Sequence, residues 1–425
     1  MKAIGIDLGT TSICGVVIDT QTGKVLHSRT ENSNAFIKTE NSWEKIQDPE
    51  KIISTAMDIL DDFITEDIAV SGITGQMHGI VYTDCNGMAI SPLYTWQDGR
   101  GNLPYGDTTY AEYIGSHSGY GNVTHFYNRE NNLVPAEANG FCTIHDYLVM
   151  RLCGLNTALI HISNAASFGC FDLENSCYSY PCDVTVINDY HIAGNYKGIP
   201  VSVAIGDNQA SVFSSLADDA DILLNVGTGS QISIISNHAI WGDGIETRPY
   251  FDGKYLIVGA ALCGGRAYAV LKDFYKKVIG YVADADDKVI YNIMDKMLTE
   301  SEEVLKVDTR FSGIRGNESI RGSITGISTE NFTPTALTRG LLYGMIEELY
   351  GMYRDMDCKR SGLVGSGNGI RKNSHLINVA ENRFSASIKI PAHTEEAAYG
   401  AALFALISSG YFTSSKEAKK LINYI

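Results

Sequence analysis

Short β-branched stretches recur along the chain, each ending in a polar turn. Residues 3–7 read as a strand, 9–12 as a turn and 13–18 as a second strand, which predicts a hairpin. The pattern returns later, with strands over 223–226 and 232–235 flanking a turn over 227–230. Asp7-Leu8-Gly9-Thr10-Thr11-Ser12 thus lines up with Asn225-Val226-Gly227-Thr228-Gly229-Ser230, with glycine, threonine and serine at matching places. Two such units, each opening roughly one half of the chain, predict that the halves are structural duplicates.

Alternation over 200–205 predicts a strand, and 208–216 continues as a helix, followed by the acidic stretch Asp218-Asp219-Ala220-Asp221. The boundary is expected there, giving domains of 1–216 and 217–425 joined by a hinge. A long helix is expected from Thr333, a capping residue, with Pro334 preset at the first helical position. Leu337, Leu341, Met345, Leu349, Met352 and Met356 recur along it at three- or four-residue spacing and form a core stripe. Residues 312–326 carry four glycines and read as a long surface loop.

A length of 425 residues fits two domains of roughly 200 residues each. With 44% hydrophobic and 19% charged residues the composition is that of a globular protein, and 42 glycines suit many tight turns. A net charge of −16 without any basic run excludes a general nucleic-acid binder. The nine cysteines are scattered with no C-x-x-C pair, which speaks against a zinc site or a disulfide framework and for a reducing compartment. Asp7 interrupts any leader-like apolar stretch, and no run is long enough to span a membrane, so no membrane partner and a cytoplasmic location are expected.

Phosphate binding needs donors that approach closely, and glycine in a turn allows this. Gly9, Thr10, Thr11 and Ser12 form one such turn, and Gly227, Thr228, Gly229 and Ser230 the other. Either alone reads equally as a polar hairpin; together they read as a two-sided phosphate clamp. Asp7 stands before the first turn, where its carboxylate is placed to hold Mg²⁺ through water. Asp207, in Gly206-Asp207-Asn208, follows a strand and opens a helix, so it is the candidate general base and a second metal carboxylate, unless it only caps that helix. Gln76-Met77-His78-Gly79 and Trp96-Gln97-Asp98-Gly99-Arg100 supply amide, imidazole, carboxylate and guanidinium groups plus an indole. That inventory suits a polyhydroxylated substrate, although His78 alone would read as structural. Gly365-Ser366-Gly367-Asn368-Gly369, running on to Asn373, is a candidate adenosine site. It is no dinucleotide fingerprint, since its glycine spacing is wrong and it lies near the end of the chain.

In this order the stretches resemble the FGGY carbohydrate kinases, over nearly the whole chain. The resemblance implies an α/β fold of two ribonuclease-H-like domains, as in actin-like ATPases, with an inter-domain cleft. It implies ATP and Mg²⁺ as cofactors, with Gly9, Thr10, Thr11, Ser12, Gly227, Thr228, Gly229, Ser230, Gly365, Gly367, Asn368 and Asn373 at the nucleotide, Asp7 and Asp207 at the metal, and Asp207 as the base. Gln76, Met77, His78, Gly79, Trp96, Asp98, Arg100 and Asn208 would bind the sugar. The 76–79 stretch is similar to that of ketose-specific members, which implies transfer to a primary hydroxyl of a ketose. Sedoheptulose comes first and xylulose or another pentulose second, and a homodimer is a further expectation. The alternative of another class is a non-enzymatic actin-like ATPase or chaperone. The chain is shorter than is usual for the family, which bears on sugar selectivity and subunit contacts.

Overall fold

The computed structural model describes residues 1–425 apart from 181, 183, 243, 315–318, 357, 359 and 361. The chain forms two compact units: Met1–Ala217 with Arg248–Lys254 and His393–Asn423, and Asp218–Thr247 with Tyr255–Ala392 and Tyr424–Ile425.

The first unit is built on a seven-stranded sheet of β1 (Lys2–Leu8), β2 (Ser12–Asp19), β3 (Val25–Asn32), β4 (Ile68–Gly75), β5 (Ile192–Tyr196), β6 (Ile199–Ser202) and β7 (Ile205–Gly206). Its order is β5-β6-β4-β1-β2-β3, with β7 also beside β4. β1 and β2 are antiparallel, whereas β1 and β4 run parallel. Both strands of the opening hairpin are largely buried, as their β-branched runs require. One face is covered by helix Pro49–Phe63, capped by the Asp48 carboxylate, which accepts from the N–H groups of Glu50 and Lys51. Ile52, Ile53, Ala56, Ile59 and Leu60 are its buried stripe.

The other face is covered by helix Glu396–Ser408, from the far end of the chain. It comes close because β1 and β4 carry glycine at the contact. A Cβ on Gly5 would lie 1.8 Å from the Ala398 carbonyl oxygen, and one on Gly72 2.0 Å from that of Ala401. The helix answers with Gly400, where a Cβ would meet the Ala210 carbonyl oxygen at 1.9 Å. This close packing corrects the expected limits 1–216 and 217–425: residues 248–254 and 393–423 fold with the first unit.

A six-stranded sheet is made of β8 (Asp221–Val226), β9 (Ser230–Ser236), β10 (Ile245–Pro249), β11 (Tyr255–Ala261), β12 (Gly362–Ser366) and β13 (Ile388–Lys389), in the order β10-β11-β9-β8-β12-β13, and belongs to the second unit apart from the last two residues of β10. β8 pairs antiparallel with β9, β9 antiparallel with β11, and β8 parallel with β12. The run β11-β9-β8-β12 therefore repeats β3-β2-β1-β4 of the first unit, and both sheets have the ribonuclease-H-like order. The long helix spans Pro334–Asp355, with the Thr333 hydroxyl accepting from the Ala336 N–H. Leu341, Met345 and Leu349 are buried on it, with Leu337 and Met352 packed at the edge of the same core. The expected surface loop over 312–326 is partly a strand, since Ser323–Thr325 pairs with Lys306–Asp308; its residues 315–318 lie outside the described residues. Among the described residues no helix is long and apolar enough to cross a membrane.

Candidate active site

Register places two carboxylates at the same end of the first sheet. Asp7 on β1 pairs with Thr74 on β4, and Thr74 pairs in turn with Ile205 on β7, two residues before Asp207. The Thr74 hydroxyl donates to the Ile205 carbonyl at 2.7 Å and ties these strand ends together. Asp207 is the first residue of helix Asp207–Ser215, so its carboxylate lies beside that helix's unpaired N–H groups.

Burial pushes the Asp207 carboxyl up to about 6, against the pull of the Arg248 guanidinium and of its own and Asn208 backbone N–H groups. Asp7 goes further, to about 8, through burial and the nearby charges of Asp207 and Glu395. Asp7 Oδ1 is buried with no hydrogen-bond partner among the described residues. A carboxylate oxygen held in this way, with two further carboxylates around it, suits a hard divalent cation such as Mg²⁺. Among the described residues no group of three or more His, Cys, Asp or Glu side chains is placed to hold a metal ion by itself.

The first turn and the expected sugar loop meet. Gly9 is needed at its place because a Cβ would lie 2.8 Å from the Ser12 carbonyl oxygen. Thr10 accepts from Trp96 Nε1 at 2.9 Å, and the Gln76 N–H donates to the Leu8 carbonyl at 2.9 Å. The Thr11 carbonyl accepts from the Ser33 N–H, and Ser12 opens β2. Met77 is buried against Gly206, where a Cβ would lie 2.7 Å from its sulfur. His78 adopts a left-handed backbone with φ of 74°, rare for a residue with a side chain. Its ring stacks on Tyr120 at 4.1 Å, and Nδ1 lies 2.8 Å from the Ser167 carbonyl oxygen. A carbonyl only accepts, so Nδ1 carries the proton. Gly79 has no room for a side chain, since a Cβ would lie 2.6 Å from the Tyr94 carbonyl oxygen. Trp96 keeps 45% of its surface exposed, and Asn208 follows Asp207 in the first turn of its helix.

Asp98 and Arg100 depart from expectation. Each is 1% exposed, and they face each other: Arg100 Nε donates to Asp98 Oδ1 at 2.6 Å and Nη2 to Oδ2 at 3.2 Å. Nη1 donates to Asn128 Oδ1 at 2.5 Å, and the guanidinium lies over the Tyr94 ring at 4.2 Å. Asp98 Oδ2 also accepts from the Lys45 N–H at 2.9 Å. The planar fork of arginine matches a carboxylate better than a flexible ligand does, so the pair turns inward and braces the loop that carries Trp96.

In the second unit, Gly227, Thr228, Gly367, Asn368 and Asn373 line one cavity of about 910 Å³, together with Gly265, Arg266, Tyr268, Tyr291, Asp295 and Lys372. Gly367 has φ of 79° and sits so close to β8 that a Cβ would lie 2.6 Å from the Val226 carbonyl oxygen. Asn373 caps the next helix, accepting from the Leu376 N–H at 2.9 Å. Gly229 closes the turn by accepting from the Gly227 N–H at 2.9 Å, and Ser230 starts β9. Neither lines the cavity. Gly365 does not line it either: it is inside β12, where a Cβ would meet Ile388 and Ile370 side chains.

Several residues at these sites carry no motif. Gln47, Arg248 and Glu395 in the first unit, and Tyr268, Tyr291 and Asp295 in the second, arrive from distant parts of the chain. Gly264 and Gly265 had a signal, a glycine pair between a strand and a helix. The Gly265 N–H donates to the Gly227 carbonyl at 2.9 Å, and a Cβ on Gly264 would collide with Gly229 at 2.5 Å.

Residues 2–104 match the model of the FGGY family of carbohydrate kinases, N-terminal domain. The chain is 28% identical to the sedoheptulokinase of Mus musculus over 95% of its own length and 97% of that protein. The xylulose kinase of Rhodospirillum rubrum has the same fold, with a TM-score of 0.85 at 18% identity over 100% of this chain and 93% of that one. So has the glycerol kinase of Plasmodium falciparum, solved with ADP, with a TM-score of 0.74 at 18% identity over 99% of this chain and 92% of that one. Residues 2–104 thus carry the opening domain of the FGGY family of carbohydrate kinases, and the chain is similar to sugar kinases along its whole length.

Proposed function

We propose that this kinase transfers the terminal phosphate of ATP to a primary hydroxyl of a ketose, with sedoheptulose as the first substrate to test and xylulose as the second. The observation that carries the reading is the packing of Met77 against Gly206, which sets the 76–79 loop beside the residue next to Asp207. A sugar held by Gln76, His78 and the Trp96 face would present a hydroxyl to that carboxylate. The ranking of sugars leans on the sedoheptulokinase relative.

In this mechanism Asp207 accepts the proton of the acceptor hydroxyl, and a carboxyl near 6 is mostly ionised and still basic at neutral pH. The Arg248 charge keeps it from rising further. The cavity of the second unit holds the nucleoside, with backbone N–H groups of the Gly227–Ser230 turn beside it for phosphate oxygens, in keeping with the ADP of the glycerol kinase neighbour. Asp7, with Asp207 nearby, would hold Mg²⁺, which supplies neutralisation of phosphate charge.

A coupled ADP-release assay over ketoses, aldoses and polyols tests the reading. Release that depends on a ketose supports it, and ATP hydrolysis indifferent to every sugar supports an actin-like ATPase instead. Asp207→Asn should lower turnover by about 10²–10⁴-fold while leaving sugar binding in place. Undiminished turnover in that variant removes Asp207 from the role.

A further inference from the structure

The sugar loop and the first phosphate turn are joined by a line of polar contacts whose direction is fixed at both ends. Trp96 Nε1 can only donate, and it donates to Thr10 Oγ1 at 2.9 Å. Thr10 Oγ1 then donates to Gln76 Oε1 at 3.4 Å, and Gln76 Nε2 donates to Gln47 Oε1 at 2.9 Å. Gln47 Nε2 donates to the backbone carbonyl of Thr10 at 2.6 Å, and that carbonyl can only accept. One orientation of both amides satisfies every contact, and reversing either would set donor against donor or acceptor against acceptor.

Gln47 is the least expected member. It is fully buried, at 0% exposure. Its backbone pairs with Leu93 in the two-residue strands Ile46–Gln47 and Leu93–Tyr94, just ahead of Trp96. Thr95 is fastened to the same segment, with its N–H at 3.1 Å and its hydroxyl at 2.8 Å from the Lys45 carbonyl oxygen. Gln47 therefore reaches the phosphate turn from the strand pair that carries the exposed indole, and its side-chain contacts meet both Thr10 and Gln76.

We propose that Gln47 is a positioning residue that makes the Gly9–Ser12 turn answer to the sugar. This rests on the kinase reading above. A sugar seated against Trp96 fixes the indole N–H, the indole fixes the Thr10 hydroxyl, and the two glutamines hold the Thr10 carbonyl. The N–H groups of the turn are then set for the phosphate when the acceptor is in place. Without the tie each ligand still binds, but transfer slows and ATP hydrolysis escapes sugar control.

Gln47→Met keeps the length of the side chain and removes both hydrogen bonds. Trp96→Phe keeps the aromatic face and removes the N–H. Gln47→Met should lower kcat by about tenfold with less than about threefold change in sugar KM, and both variants should raise the ratio of ATP consumed to sugar phosphate formed. The double variant should be no worse than the poorer single one, because the two act on one line. Gln47→Glu, which has no donor for the Thr10 carbonyl, should behave as Gln47→Met. A folded Gln47→Met with wild-type kcat and an unchanged ratio overturns the proposal, as do fully multiplicative losses in the double variant. If Gln47→Met does not fold, Trp96→Phe decides at an exposed position, and wild-type behaviour there also overturns it. Wild-type protein with no sugar-dependent ADP release would instead sink the kinase reading itself.

Discussion

Asp7 and Asp207 bind protons more tightly in the folded protein than in the unfolded chain. Their contribution to stability is therefore present in acid and lost as pH rises through about 6 for Asp207 and about 8 for Asp7. His145 and His161, held down to about 4 and about 3 by burial, act the other way: their contribution is complete above their ordinary range and lost only as pH falls. Between pH 6.5 and about 8, where the histidine contribution is complete and Asp207 is largely ionised, Asp7 thus sets the trend, and ligand-free protein should melt at falling temperature. Asp7→Asn should flatten that decline and raise Tm at pH 8 by about 3–8 °C while abolishing turnover. Mg²⁺ should raise Tm at pH 8 in the wild type and not in the variant. For catalysis the sign is opposite, since the base must be ionised: kcat/KM for the sugar should fall about tenfold per pH unit below pH 6. A profile flat down to pH 5 would exclude Asp207 as the titrating base.

Among the elements, the contact of β1 and β4 with helix Glu396–Ser408 is the least tolerant. Gly5→Ala places a methyl group 1.8 Å from a backbone oxygen that cannot retreat without moving the helix. It should cost about 2–4 kcal/mol in urea unfolding. Gly140→Ala, where nothing lies within 4 Å, should cost less than about 0.5 kcal/mol. The hairpins that open each half were legible because a glycine turn between two β-branched runs is a local pattern. The helix that covers their sheet has no such local pattern, because it is buried nearly all round and presents no stripe to read. Asp98 and Arg100 misled for a related reason: carboxylate and guanidinium in a loop look ligand-facing until their mutual fork geometry is seen. Gly365 looked like part of an adenosine loop because spacing alone does not tell where β12 ends. Gln47, in a strand of two residues, leaves no trace in the pattern at all.

At the scale of the whole molecule, the groups proposed for the two ligands divide between the units, with the carboxylates and the 76–100 loops in one and the 910 Å³ cavity in the other. Calorimetry should therefore resolve selective effects. A ketose at about 100 times its Kd should stabilise the first unit by about 2.7 kcal/mol, and ATP in the same excess the second. One transition shifted equally by both ligands would show that the units melt as a single body. The duplication was readable from two similar turns, but the path of the chain was not, because membership of a unit is decided by packing and not by position along the sequence.

That path bears on how the protein is made. Residues 393–423 complete the first unit, so during synthesis its sheet stays bare on one face until they have left the ribosome, while most of the second unit is already free to fold. Nascent chains interrupted before that point would expose the glycine-lined face of β1 and β4 and lack Glu395. Products terminated before residue 393 should thus be recognised as unfolded, and a folded first unit becomes a sign that translation has passed that segment.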